Sequence, residues 1–183
     1  MRNRSNGFTL IELLVVVAII AVLASLAVPS FTMMLMKRSA QGAALALVAD
    51  IRFARSEALR RSVRVSICSL ADGSLDTCSS APGKWVNGWI VFVDSVAATP
   101  SVRDAGEEIV RVQQPPTNIA SIDNATTTAT DYFSFEANGI AKGATATLIV
   151  KPTREASDST NRVVCTSSTG RPSLRVEGTT SCL

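Results

Sequence analysis

MRNRSNGFTLIELLVVVAIIAVLASLAVP, residues 1–29, decides how the rest of the chain must be read. Two arginines, Arg2 and Arg4, precede Gly7, and an apolar run follows in which Glu12 is the one charge. From Phe8 to Met36 no other side chain ionises, and Phe8 to Val28 alone gives 21 residues, about 30 Å of helix and long enough to cross a bilayer. The arginines before it place the N-terminus in the cytoplasm and send the remainder across the membrane. A secretory signal would have a shorter apolar core ending at a small-residue cleavage site. A plain signal anchor has no use for a carboxylate at its second turn, where an ionised group costs roughly 2.5 to 3.5 kcal/mol on insertion scales. Glu12 therefore needs a cationic partner.

Gly7-Phe8-Thr9-Leu10-Ile11-Glu12 closely resembles the processing motif of type IV pilins and type II secretion pseudopilins. The resemblance implies cleavage after Gly7 by a prepilin peptidase and methylation of the new N-terminus at Phe8. Packed side by side, the exposed amine of one subunit would neutralise Glu12 of the next and set the axial register, because a desolvated charge left alone costs about 3 to 5 kcal/mol. Partners implied are other pilin subunits, the peptidase and an inner-membrane assembly platform. The protein would be a single-pass inner-membrane protein with a periplasmic head before assembly, and part of a pilus or pseudopilus afterwards.

The chain carries 18 Lys and Arg against 15 Asp and Glu, and loss of Arg2 and Arg4 leaves 16 against 15. Bulk charge thus gives no reason to expect nucleic acid, and such a role would have to rest on a local patch. Four segments follow: a cleaved leader at 1–7, a transmembrane and assembly helix at 8–36, an amphipathic helix at 37–62, and a β-rich head at 63–183, about 120 residues and enough for one core.

Pro29 is the first interruption of the helical pattern and is expected to kink or locally melt it; in the family that the chain resembles, helices commonly carry a proline at this place. Beyond it, Ala44, Leu47, Val48, Ile51, Ala54 and Ala58 form one apolar stripe, whose alanines allow close approach to a sheet. Asp50, Arg52, Glu57, Arg60 and Arg61 are expected on the opposite face. Phe53-Ala54-Arg55-Ser56-Glu57-Ala58-Leu59-Arg60-Arg61 resembles the end of the long helix in the GspH/FimT/FimU branch of minor pilins and pseudopilins.

After Ser62 the period changes to alternation. Val63, Val65 and Ile67 face one way with Arg64 and Ser66 opposite, and further strands are expected at Trp89–Val93, Ile109–Val112, Tyr132–Phe135, Ala146–Val150 and Arg162–Cys165, with a seventh near Leu174–Val176. Asp72-Gly73, Asn87-Gly88, Pro115-Pro116 and Asn138-Gly139 supply turns, the last being the strongest hairpin signal. Residues 95–105 and 115–131 read as loops. No crossover helix is available, so the expected fold is α+β: a long N-terminal helix packed on a mostly antiparallel head, pilin-like in the terms of the resemblance.

Cys68, Cys78, Cys165 and Cys182 allow three pairings in an oxidising compartment. The simplest is local, Cys68 with Cys78 and Cys165 with Cys182. Metal binding competes weakly, since the sequence has no CxxC and no histidine. Asp94, Asp104, Glu107 and Glu108 bracket a loop but lack a regular calcium-binding pattern. No cofactor and no catalytic residue is expected: no nucleophile has an evident activating partner, and there is neither a Gly-x-Ser-x-Gly elbow nor a phosphate loop.

Within the loop that a Cys165–Cys182 bond would close lies Gly170-Arg171-Pro172-Ser173-Leu174-Arg175. It resembles the Gly-Arg-x-Arg element associated with DNA binding in FimT-type minor pilins, with two further residues between the arginines. Arg171 and Arg175 are thus candidate contacts for double-stranded DNA, with Lys151, Arg154 and Arg162 as possible helpers, provided that no bulge turns them apart. A turn that simply closes the last hairpin is the competing reading. The cluster Arg52, Arg55, Arg60, Arg61 and Arg64 reads as a solvated face or subunit contact, and Trp85 and Trp89 as core and rim aromatics. Three functional readings follow from these features: a minor type IV pilin that helps initiate or cap a pilus, a GspH-like minor pseudopilin of a type II secretion system, and a DNA receptor module at a pilus tip.

Overall fold

A computed structural model of the chain describes residues 8–81, 83–95, 102–125, 132–142, 146–154, 160–167, 169–176 and 182, and the side chains of all of these but Pro29 and Val176. The leader at 1–7, with Gly7, lies outside the described residues, as do parts of the expected loops at 95–105 and 115–131 and of the C-terminal loop. The chain divides into two compact units, Met1–Leu35 and Met36–Leu183.

One helix, α1 (Leu10–Arg61), runs through both units. It starts at Leu10 because Thr9 caps it: the Glu12 amide donates to the Thr9 hydroxyl at 3.3 Å, satisfying one of the first-turn N–H groups. Pro29 lies inside α1, which continues on both sides of it. In the second unit the expected stripe faces inward, with Ala44, Leu47, Val48, Ile51, Ala54 and Ala58 all buried. Asp50 and Glu57 correct the expected polar face, for both are buried too, at 3% and 7% exposure.

Among the described residues nine strands follow: β1 (Val65–Ser69), β2 (Trp89–Val93), β3 (Ile109–Gln113), β4 (Ile119–Asn124), β5 (Tyr132–Phe135), β6 (Ala141–Lys142), β7 (Ala146–Pro152), β8 (Arg162–Thr166) and β9 (Pro172–Val176). They form two sheets, ordered β3-β2-β1-β5-β6 and β4-β7-β8-β9, with every strand pairing antiparallel. The α+β fold expected from the sequence is the fold found.

β1 begins at Val65 rather than Val63, and all five of its residues are buried. It is the central strand of its sheet, so both faces are covered and no polar side exists to alternate with. One face joins the main core with α1 and the second sheet through Val65 and Ile67, whereas Cys68 packs with Leu70, Ile90 and Phe92 in a smaller cluster. Ser66 is accommodated because its hydroxyl donates to Asp94 at 2.7 Å and accepts from the Ser134 hydroxyl at 3.0 Å. Trp85 and Trp89 are both fully buried, their ring centroids 6.3 Å apart.

β4 corrects the loop expected over 115–131. Only Ile119 and Ile122 of its six residues are buried, and its register with β7 shifts between Ile119 and Ser121, which breaks the alternation by which a strand is recognised. Asn138-Gly139 makes the turn from β5 to β6, with Gly139 at φ 73° and its amide donating to the Glu136 carbonyl at 2.7 Å.

Candidate functional site

At the N-terminal end, Phe8 is 84% exposed and the apolar side chains from Leu10 to Val28 are likewise uncovered. This part of α1 is long and apolar enough to cross a membrane. Glu12 is exposed at its start, and its carboxylate has no partner among the described residues. Thr9-x-x-Glu12 is also the spacing of a capping box, a signal present in the sequence that explains why the helix begins two residues after Phe8.

In the head, disulfides join Cys68 to Cys78 and Cys165 to Cys182, with Cα atoms 5.6 and 5.5 Å apart. The first staples a knuckle, residues 71–77, that projects from the end of β1. The Ala71 amide donates to the Thr77 carbonyl at 2.9 Å, and the Ser74 hydroxyl receives the Thr77 amide at 3.0 Å. Asp72, Leu75 and Asp76 are exposed on it. The second disulfide attaches Cys182 to β8 beside β7, where its Sγ lies 2.9 Å from the Thr147 hydroxyl.

That hairpin positions the arginine pair. Gly170 has φ 73°, and a Cβ there would sit 2.6 Å from Phe135 Cε1 and 2.7 Å from the Ala141 methyl, so the turn is packed directly on β5 and β6. Only glycine meets both demands. The Arg171 amide donates to the Ser167 hydroxyl at 3.2 Å, and Arg52 of α1 donates to the Pro172 carbonyl at 3.3 Å, tying the start of β9 to the helix. The β8–β9 register runs from Thr166↔Pro172 to Arg162↔Val176 without a bulge. Pro172 and Leu174 turn inward and Arg171, Ser173 and Arg175 outward, so the two arginines share one face of an edge strand.

The expected helpers are placed differently. Arg162 is buried in β8, Lys151 lies 3.5 Å from Asp123, and Arg154 is exposed after β7. What sequence distance concealed is that Arg52, Arg55 and Arg171 line one cleft of about 370 Å³ together with Ser56, Leu59, Gly170 and Pro172. The rest of the helical basic cluster is engaged. Arg60 and Arg61 hold Glu57 at 2.6 and 2.7 Å, Arg61 also holds Glu108 at 2.7 Å, and Arg64 holds Asp94 at 2.9 Å. The Arg60 and then the Arg61 hydrogen bonds pull the Glu57 carboxyl down to about 2. Arg61 likewise lowers Glu108.

The acidic side chains that bracket the loop after β2 are occupied from within. Asp94 serves Arg64 and Ser66, Glu108 serves Arg61, and Glu107 accepts the amides of Ser95 at 2.8 Å and Asp104 at 2.9 Å. Among the described residues no group of three or more acidic, cysteine or histidine side chains is arranged to hold a metal.

The family model described as type II transport protein GspH matches residues 43–170, and one described as the prokaryotic N-terminal methylation motif matches residues 2–28. Two crystal forms of the type IV minor pilin FimU from Pseudomonas aeruginosa are similar in fold. One is 22% identical, with a TM-score of 0.53, covering 77% of this chain and 90% of FimU. The other is 24% identical, with a TM-score of 0.51, covering 74% and 91%. No curated protein matches the chain.

Proposed function

The chain belongs to the GspH family of pilin-like subunits, and from that premise we propose that it is a minor type IV pilin of the FimT/FimU kind, helping to initiate or cap a filament. The observation that carries this reading is the unpartnered Glu12 carboxylate at the head of an uncovered apolar helix, within the matched methylation motif. Cleavage after Gly7 removes Arg2 and Arg4, methylation follows at Phe8, and the amine so exposed supplies Glu12 of the neighbouring subunit with its cation. Before assembly the helix holds the protein in the inner membrane, head on the periplasmic side, beside the assembly platform. A minor pseudopilin of a type II secretion system would use the same parts, so the deciding experiment has two arms. Intact mass of filament-assembled protein should show loss of residues 1–7; retention of Met1 overturns both readings. Deletion of the gene should then abolish surface pili and spare secretion; the converse outcome assigns the protein to a secretion system.

A second reading, contact with double-stranded DNA, is favoured by the placement of Arg171 and Arg175 on one outward face of the edge strand β9. Such contact is to phosphates, weak, without sequence preference and steeply salt-dependent. Full-length protein in neutral detergent should bind a DNA duplex at low salt, and Arg171→Ala with Arg175→Ala should reduce binding. An unaltered affinity in the double variant refutes it.

A further inference from the structure

Arg52, Arg55 and Arg171 hold no carboxylate among the described residues, and they meet in one cleft. Arg60, Arg61, Arg64, Arg103 and Arg111 each pair with an acidic side chain, at 2.6 to 3.9 Å. Arg52 reaches only the Pro172 carbonyl, and the guanidinium groups of Arg55 and Arg171 have no partner among the described residues. They rim a cleft that Leu59, half-exposed, and Pro172 line with apolar surface. Rim cations around an apolar centre call for an occupant with anionic flanks and an apolar tip.

The same chain presents such an occupant elsewhere. The knuckle stapled by Cys68–Cys78 carries Leu75, 54% exposed, between Asp72 and Asp76. Asp72 has no partner among the described residues, and Asp76 is 67% exposed, its Oδ1 accepting the Ser74 and Thr77 hydroxyls at 3.1 and 3.0 Å while Oδ2 has only a loose approach of Arg103 at 3.9 Å. Hydrogen bonds within the knuckle and the Arg103 bond to the Asp76 carbonyl at 3.1 Å fix its shape, so little conformational entropy is lost when it docks.

We propose that the Asp72–Leu75–Asp76 knuckle of one copy seats in the Arg52–Arg55–Arg171 cleft of a second copy, the carboxylates on the guanidinium groups and Leu75 on Leu59. Knuckle and cleft share no residue, so each copy can give one surface and receive on the other, and the contact joins two copies whether it is exchanged reciprocally or made one way. This goes beyond the subunit reading by naming one of its head-to-head contacts. Arg171 serves both this contact and the DNA reading, so the two compete for one side chain.

The test is charge exchange in the full-length chain, in neutral detergent, with two differently tagged preparations. Parent copies should co-purify, with a yield that falls as salt rises. Arg55→Glu with Arg171→Glu should weaken self-association about tenfold, and Asp72→Arg with Asp76→Arg should do the same. Mixed together, the two charge-reversed proteins should recover association, since a reversed cleft then meets a reversed knuckle; that recovery also shows that both are folded. Leu75→Ser should weaken association even at high salt. Monomeric parent protein, unchanged self-association of either reversed variant, or failure of the mixture to recover overturns the proposal. So does an arginine-reversed chain that loses duplex DNA but keeps self-association, which would make the cleft a nucleic-acid surface.

Discussion

Trp89 donates its indole N–H to the Asp50 carboxylate at 2.9 Å, joining α1 to β2 inside the core. The other oxygen of Asp50 takes Arg111 of β3 at 2.6 Å, and the Arg111 guanidinium lies 3.8 Å from the centre of the Phe53 ring. One helical carboxylate thus fixes two neighbouring strands. Asp50→Ala would leave a buried indole N–H without an acceptor, and is expected to cost about 1 to 3 kcal/mol. Asp50→Asn retains an acceptor for Trp89 and should cost less. Thermal unfolding followed by tryptophan fluorescence should rank parent, Asn and Ala in that order; equal midpoints would mean that this contact contributes nothing.

Glu57 gives the fold an acid sensitivity of known sign. Its carboxyl is lowered from 4.5 to about 2 by Arg60 and Arg61, so its folded value lies below its unfolded one. The stabilisation is therefore present above about pH 4.5 and is lost as pH falls toward 2. Glu108, lowered by Arg61, titrates in the same direction. The melting temperature should fall through this window, and Glu57→Gln should flatten the fall in part, leaving the contribution of Glu108. A profile identical to the parent's would show that the Arg60–Glu57–Arg61 cluster contributes nothing to acid stability.

The sequence made the inward stripe of α1 legible because alanine and aliphatic spacing is a local signal. The burial of Asp50 was not, since its partners Trp89 and Arg111 come from another part of the chain; Glu57 has local partners, Arg60 and Arg61, but beside the stripe a charge looks solvated until the sheet arrives. β1 lost its alternation to cover on both faces, and β4 lost its own to polar residues and a register shift. Alternation did foretell that Arg171 and Arg175 share a face. It could not foretell that Arg52 and Arg55, more than 100 residues earlier, complete a cleft with Arg171. Thr9 and Glu12, by contrast, carry a readable helix-start signal in their spacing alone.

Gly170→Ala tests how the β8–β9 turn is held. The new methyl would meet Phe135 and Ala141 at 2.6 and 2.7 Å, on a backbone with φ 73°. Overpacking and a left-handed alanine each oppose the native geometry, and together are expected to destabilise by about 2 to 4 kcal/mol. Gly73→Ala is the control: it has a similar φ of 71° but no atom within 4 Å of the added carbon. The difference between the two midpoints isolates the packing component. If they are equal, the turn moves freely off β5 and β6.

Glu12→Ala separates insertion from assembly, because the two respond with opposite signs. Removing the carboxylate leaves the helix start intact, since the bond to Thr9 comes from the backbone amide of residue 12 and survives the substitution. Membrane insertion should be preserved or improved, by up to roughly 2.5 to 3.5 kcal/mol on insertion scales. Incorporation into filaments should fall, because the amine of the neighbouring subunit then faces apolar side chains alone, an imbalance of about 3 to 5 kcal/mol in a desolvated core. Glu12→Gln should insert as well as alanine and assemble no better, as an amide offers a hydrogen bond but no charge. Membrane fractionation and immunoblotting of sheared filaments read the two quantities independently. Parent-like incorporation by the alanine variant would remove charge pairing as the source of register, and leave the capped apolar helix to set it by packing alone.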